Sequence, residues 1–343
     1  MTQNRAVAVY GAYGHTGRFV VAQLRRRGWT PILSGRDRDK LQAVSSLHPN
    51  LDVRPASVDA PASLDRALRA AAAVINCAGP FAGTAGPVIE AALRARIPYL
   101  DVAAEIEANQ DTFERYARPA RDAGIVVVPA MAFFGGLGDL LATAALGNWQ
   151  SADEISIAYG LDSWHPTAGT RAASQVSRQR RDGRRLVFAN HRFAFRTDEA
   201  PIGEWEFPAP LGKQPVMGEF TMADTVTISR HLKTPEIRSY MTLAAVKDVA
   251  APDAAPPEPC DESGKSRQTF MVEIVARQGS VERRAVASGK DIYAFTAPLV
   301  VEAVERVLDG RVKATGALSA GEAFDAADFL KSLSPIHLSL DIR

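Results

Sequence analysis

The sequence predicts an α/β protein: a doubly wound parallel sheet, followed by a second α+β domain of mostly antiparallel strands. Three observations carry that prediction. A glycine-spaced turn, GAYGHTG from Gly11 to Gly17, follows an apolar run and precedes a helical pattern. Short apolar runs then alternate with longer amphipathic ones, as in repeated strand–helix units. After AFFGGLGD, residues 132–139, the pattern changes to longer runs with a period of two, which suits an antiparallel sheet with one wet face.

In the first part, strands are expected at Ala6–Tyr10, Pro31–Ser34, Asp52–Pro55, Ala73–Asn76, Tyr99–Asp101 and Ile125–Val128. Helices are expected between them at Thr16–Arg27, Arg38–Ser46, Ala62–Ala70, Pro87–Ala95 and Asn109–Ala123. The runs AVAVY, AAVIN and GIVVV are apolar throughout, as strands covered on both faces should be. Crossovers between such strands are right-handed almost without exception, so the sheet is parallel and of Rossmann type. In the second part the strand runs are EISIAYGL, RLVFANHRFAF, MTLAAVKDV, TFMVEIVARQ and ERRAVASG, interrupted by a helix at Thr170–Arg181. The Pro- and acid-rich stretch Ala251–Ser266 reads as a mobile hairpin loop. Helical patterns at Ala297–Leu308 and Ala320–Leu333 are expected to pack back on the first domain. The expected division is 1–135, a nucleotide-binding domain; 136–290, a substrate and dimerisation domain; and 291–343, the returning helices.

At 343 residues the chain is long enough for one large or two ordinary domains. A net charge of +1 argues against nucleic acid or a membrane surface as partner. Two cysteines, Cys77 and Cys260, make no disulfide framework, which fits a reducing compartment. The first residues show no apolar stretch of signal-peptide length, and no window reaches the roughly 18 apolar residues of a membrane span. A cytoplasmic protein is the expectation.

The glycine turn carries the chemistry. Gly11 permits the tight turn, Gly14 lets backbone approach a pyrophosphate, and Gly17 lets the helix pack close to the strand. Tyr13, His15 and Thr16 stand between them as further cofactor contacts, and the pyrophosphate belongs at the helix N-terminus. An NAD enzyme places an acid at the end of the second strand. Here that strand ends Ser34-Gly35-Arg36, and a hydroxyl with a guanidinium suits a 2′-phosphate, so NADP(H) is the expected cofactor. Asp37 reads as a helix cap. Asp59 either accepts from the adenine amino group or caps the helix near Pro61. Cys77, Ala78, Gly79, Pro80 and Phe81 end the fourth strand at the carboxyl edge, where small residues admit the nicotinamide ribose.

The familiar proton donors are missing. No tyrosine is followed four residues later by lysine, no two of the six histidines have metal-ligand spacing, and there is no G-x-S-x-G elbow. A substrate needing little acid help fits best: a protonated imine, or a conjugated C=C bond polarised by a hydroxyl or backbone donor.

The blocks GAYGHTG, LSGRDRDKL, VINCAGPFAGTAGPVIEAALRARIPYLDVAAE, GGLGDLLA, GKDIYAFTAPLVVEAVERVL and ALSAGEAFDAADFLKSL resemble the saccharopine dehydrogenase-like family of NADP-binding reductases. The resemblance implies a nucleotide-binding domain, an inserted substrate domain and returning C-terminal helices. It implies that Gly11, Gly14, Gly17, Ser34, Arg36 and the segment Ala78–Phe81 contact NADPH. It also implies imine reduction, or enoyl reduction on acyl chains of lipids and polyketides; a non-catalytic NADP(H) sensor is the rival from outside the enzymes.

Candidate catalytic residues are Glu105, at the carboxyl edge after the fifth strand, and His165, in the loop opening the helix of the second domain. For Glu105 a helix N-terminal carboxylate is the alternative. Candidate substrate contacts are Gly169, Thr170 and Arg171, with Phe133 and Trp164 as apolar walls or as core. Eight arginines against one acid, Asp182, fill Arg171–Arg196: a solvated face, or a site for an anionic substrate or an acidic acyl-carrier protein. A homodimer is the expected assembly.

Overall fold

The computed structural model describes residues 5–343. The first half is β1 (Ala6–Tyr10), α1 (His15–Arg26), β2 (Thr30–Gly35), α2 (Arg38–Leu47), β3 (Asp52–Pro55), α3 (Pro61–Leu68), β4 (Ala73–Asn76), α4 (Phe81–Ala95), β5 (Tyr99–Asp101), α5 (Ile106–Asp122) and β6 (Val126–Val128). After an irregular turn at Phe133–Leu137 come α6 (Gly138–Leu146), β7 (Glu154–Leu161), α7 (Ala168–Arg180), β8 (Arg185–Ala189), β9 (Arg192–Arg196), β10 (Ile202–Glu206), β11 (Lys213–Gly218), α8 (Ala223–Ser229), β12 (Ile237–Thr242), α9 (Leu243–Ala250), β13 (Thr269–Gln278) and β14 (Val281–Lys290). The chain closes with α10 (Ile292–Leu308), β15 (Gly316–Ala317), α11 (Ala320–Ala323), α12 (Ala326–Leu333) and β16 (Ser339–Ile342).

Two compact units result: residues up to Ala132 with Thr296–Phe324, and Phe133–Phe295 with Asp325–Arg343. The first holds a seven-stranded parallel sheet in the order β15-β6-β5-β4-β1-β2-β3. The apolar strands β1, β4 and β6 are buried, as their lack of alternation requires. The order reverses between β1 and β4, and ligands of such sheets bind outside the carboxyl ends at that switch point. Within this unit α10 is tied to the end of α1: Arg27 reaches Glu302 at 2.7 Å, the Trp29 indole donates to Glu305 at 2.8 Å, and Arg306 pairs with Glu302 at 2.7 Å.

The second unit holds a mixed sheet in the order β10-β11-β12-β7-β13-β14-β16, with β8 on β12 and β9 on β8. Only the β12–β7 pair is parallel among these ladders. The largely apolar α6, which also buries Asp139, packs on β13, β14 and α12.

Several expectations need correction. RLVFANHRFAF is a hairpin rather than one strand, because Asn190 and His191 both adopt positive φ and turn the chain. MTLAAVKDV is mostly helix: Ala-rich α9 follows β12, which ends at Thr242. Helix α4 begins at Phe81 and carries Pro87 within it, not at its start. The Ala320–Leu333 pattern is two helices, broken at Phe324 and Asp325; Asp325 caps α12, which belongs to the second unit. Residues 251–266 form no regular element. Among the described residues, no helix is long and apolar enough to cross a membrane, and no group of three His, Cys, Asp or Glu is placed for a metal ion.

Candidate functional site

The glycine turn and the Cys77–Phe81 turn lie together at the switch point. A Cβ on Gly11, whose φ is +85°, would sit 2.8 Å from the Ala78 amide nitrogen, so only glycine lets the two turns touch. A Cβ on Gly17 would sit 2.2 Å from the Gly11 carbonyl oxygen, which fixes α1 against the strand end as its spacing predicts. Gly14 caps α1 and offers no side chain to the first-turn amides. An anion is the natural partner of such a helix end. His15 packs edge-on against Phe19 at 5.3 Å, and Tyr13 and Thr16 are half-buried.

Around β4 a buried hydrogen-bond network shapes the second turn. Asn76 accepts from the Ala78 amide at 3.0 Å and donates to Tyr99 Oη at 3.2 Å; Tyr99 donates to Asp101 Oδ2 at 2.8 Å. The other Asp101 oxygen accepts from the amides of Ala103 and Ala130, at 3.0 and 2.8 Å. Burial raises the Asp101 carboxyl to about 6 and the Tyr99 phenol well above its ordinary value. The Cys77 thiol is likewise pushed up by burial.

Glu105 is placed at this edge, and its role is structural. One carboxylate oxygen accepts from Phe81 N at 2.6 Å and the other from Ala82 N at 3.0 Å, so Glu105 caps the neighbouring helix α4. Burial raises its pKa, and those two amides act in the opposite direction. Both acceptors are engaged on backbone, which removes the expected catalytic freedom. Gly79 is exposed in the turn that Glu105 anchors.

At the far end of the turn, Arg36 is exposed beyond Gly35. Ser34 is buried and gives its hydroxyl proton to the Arg54 carbonyl at 2.9 Å, so it is not the donor to a 2′-phosphate that its position suggested. Its own carbonyl receives the amides of Gly11 and Ala12, at 2.8 and 3.2 Å. Asp37 caps α2, accepting from Lys40 N at 3.1 Å. Asp59 does not cap α3, whose cap is Ala60; it is exposed beyond β3 and bonds with Ser57. These positions fit NADP(H): a cradle that a Cβ would fill, an uncapped helix start, and a guanidinium rather than a carboxylate at the ribose end.

In the second unit the expected substrate residues are scattered in role. Phe133 and Trp164 are core: Phe133 packs on Phe270 at 4.9 Å, and Trp164 on Phe134 at 4.9 Å. The Thr170 amide donates to Thr167 Oγ1 at 3.1 Å, closing the α7 cap, so it is not open to an oxyanion. Arg171 donates to the carbonyls of Ala251 at 3.2 Å and Ala254 at 2.6 Å, tying down the acidic loop. Arg184 and Arg185 pair with Asp182 and with Asp198 and Glu219. Much of the basic stretch is therefore engaged within the unit. Gly169 and His165 are exposed.

The residue not foreseen is Tyr293, whose phenolic oxygen accepts from the Trp164 indole at 3.1 Å, bonds with Thr170 Oγ1 at 3.0 Å and reaches the His165 carbonyl at 3.4 Å. Tyr293 lies in one of the blocks that carry the resemblance, but no spacing there points to Trp164 or Thr170, which the fold brings to it. Tyr99 and Asp101 could have been read as partners, since residues two apart on a strand share a face.

Residues 7–128 match the family model of the saccharopine dehydrogenase NADP binding domain. A human saccharopine dehydrogenase-like oxidoreductase is 28% identical over 145 residues, 37% of this chain and 34% of that protein. A Caenorhabditis elegans lipid droplet localized protein is 32% identical over 136 residues, covering 36% of this chain and 32% of its own. The matched region thus spans about a third of these relatives, 34% and 32% of their lengths. Apo saccharopine dehydrogenase (L-Glu forming) from Saccharomyces cerevisiae has the same fold over 99% of this chain and 100% of its own, with a TM-score of 0.67 at 11% identity.

Proposed function

We propose, from the match of residues 7–128 to the saccharopine dehydrogenase NADP binding domain, that the chain is an NADPH-dependent reductase of a C=N or activated C=C bond. When bound, the cofactor supplies a hydride from its nicotinamide. The chain's own residues do the rest. Gly11, Gly14 and Gly17 shape the phosphate cradle, Arg36 faces the 2′-phosphate, and Glu105 holds the Gly79–Ala82 turn against which the nicotinamide ribose would lie.

One observation favours the imine. The proton-bearing groups of the Cys77–Glu105 edge are committed elsewhere: Tyr99 donates to Asp101, Glu105 accepts from two amides, and burial holds the Cys77 thiol protonated. A substrate that brings its own proton, as a protonated imine does, suits that edge. Gly169 and His165, the exposed residues of the loop that Tyr293 and Thr170 brace, are the substrate contacts we assign to the second unit. The lipid-droplet name of one relative supports the other reading, an enoyl group on an acyl chain. Purified protein should oxidise NADPH with imines made from amino acids and aldehydes. Turnover restricted to enoyl thioesters would select the acyl reading. Tight NADPH binding without turnover of either class would leave a nucleotide sensor. Cytoplasmic residence, a homodimer and an anionic substrate or acyl-carrier partner remain proposals, open to fractionation, light scattering and pull-down.

A further inference from the structure

We propose that Lys40, held over the Tyr13 ring four residues on from Arg36, supplies the second cation of the 2′-phosphate site. The argument starts from Ser34, whose hydroxyl proton goes to the Arg54 carbonyl and so is not offered to a ligand. Arg36 then needs another partner to enclose a dianionic phosphate. Lys40 stands in the first turn of α2, with its ammonium 5.8 Å from the Tyr13 ring centroid and 3.2 Å from Asp37 Oδ2. The ring is itself fixed. A Cβ on Gly35, whose φ is +153°, would lie 2.8 Å from Tyr13 Cε1, so glycine is what lets the ring rest on the end of β2.

Asp37 has two jobs in this arrangement. One oxygen caps α2 on Lys40 N at 3.1 Å, and the other tethers the ammonium. Hydrogen bonding to Lys40 holds the Asp37 carboxyl below its ordinary range. An acid so engaged is a poor acceptor for a ribose 2′-hydroxyl, the role an acid at this strand end plays in NAD enzymes. A lysine is otherwise a long, mobile side chain, and ordering it costs entropy. Ring and carboxylate restrict it before the nucleotide arrives, which lowers that cost. The inference rests on NADP(H) binding by the first unit and is indifferent to which bond is reduced.

The test is nucleotide titration of the full chain, following nicotinamide fluorescence with NADPH and NADH. Lys40→Met keeps the aliphatic stem and removes the charge. It should weaken NADPH binding about tenfold, leave NADH unchanged, and flatten the salt dependence of NADPH affinity. Lys40→Arg should restore most of the NADPH affinity. Equal affinity of Lys40→Met and the natural chain for NADPH, or equal loss for both nucleotides, would overturn the assignment. Arg36→Ala separates the two levels: selective NADPH loss there with Lys40→Met unaffected keeps the cofactor and removes Lys40. A natural chain with no preference for NADPH removes both.

Discussion

At the scale of single residues, the carboxyl edge of the first sheet is built from polar groups facing inward, and Asp101 is a fully buried carboxyl among them. Burial raises its carboxyl to about 6, so the folded chain holds a proton there that the unfolded chain has released. Between about pH 4 and 6 the folded state therefore binds more protons, and Asp101 makes stability fall as pH rises. Asp101→Asn keeps an acceptor for Ala103 and Ala130 and cannot ionise. Urea denaturation should find the variant gaining on the natural chain through that window, by about 3 kcal/mol at most; parallel pH profiles would refute the assignment. The sequence displayed much of this site: the three glycines, Arg36 and the Asn76–Phe81 segment all lie where their spacing placed them. It misled at Ser34 and Glu105, whose chemistry is right for a ligand but whose lone pairs and protons are taken by backbone twenty to twenty-four residues away. Local spacing carries no record of such partners.

At the scale of elements, the first residue of α6 shows how one glycine admits a buried acid. A Cβ on Gly138 would sit 2.0 Å from Asp224 Oδ1, and Asp224 in turn accepts the Tyr159 phenol proton. Gly138→Ala must displace that carboxyl. It should cost about 2 kcal/mol in chemical denaturation while NADPH affinity stays unchanged, since both residues belong to the second unit. Unaltered stability would show that the start of α6 yields freely. Parallel strands were the most legible elements, because a strand buried on both faces must be apolar throughout. The second sheet was less so. Asn190-His191 falls within a run read as one strand, and α9 opens on the unbroken apolar run Leu243–Val246, which a buried strand could equally show, so neither boundary has a hydrophobic signature.

At the scale of the whole molecule, the chain passes between its two units at Ala132–Phe133, Phe295–Thr296 and Phe324–Asp325. The first unit is consequently discontinuous. Residues 1–132 alone lack β15, which pairs with β6, and lack Glu302 and Glu305, which engage Arg27. That fragment should unfold without cooperativity and bind NADPH poorly by fluorescence. The same residues joined to 296–324 through a glycine–serine linker should melt cooperatively and bind. Equal behaviour of the two would show that the C-terminal return is dispensable. The short β15 has a further consequence, for the order of assembly. Gly316 must find Val126 after the whole of Phe133–Phe295 has been strung between them, and β16 completes the other sheet later still. Contacts so distant in sequence form slowly. A growing chain therefore cannot finish its nucleotide-binding half first and add the rest afterwards. The nucleotide meets a molecule that is already nearly complete, and acts as its last staple rather than its first.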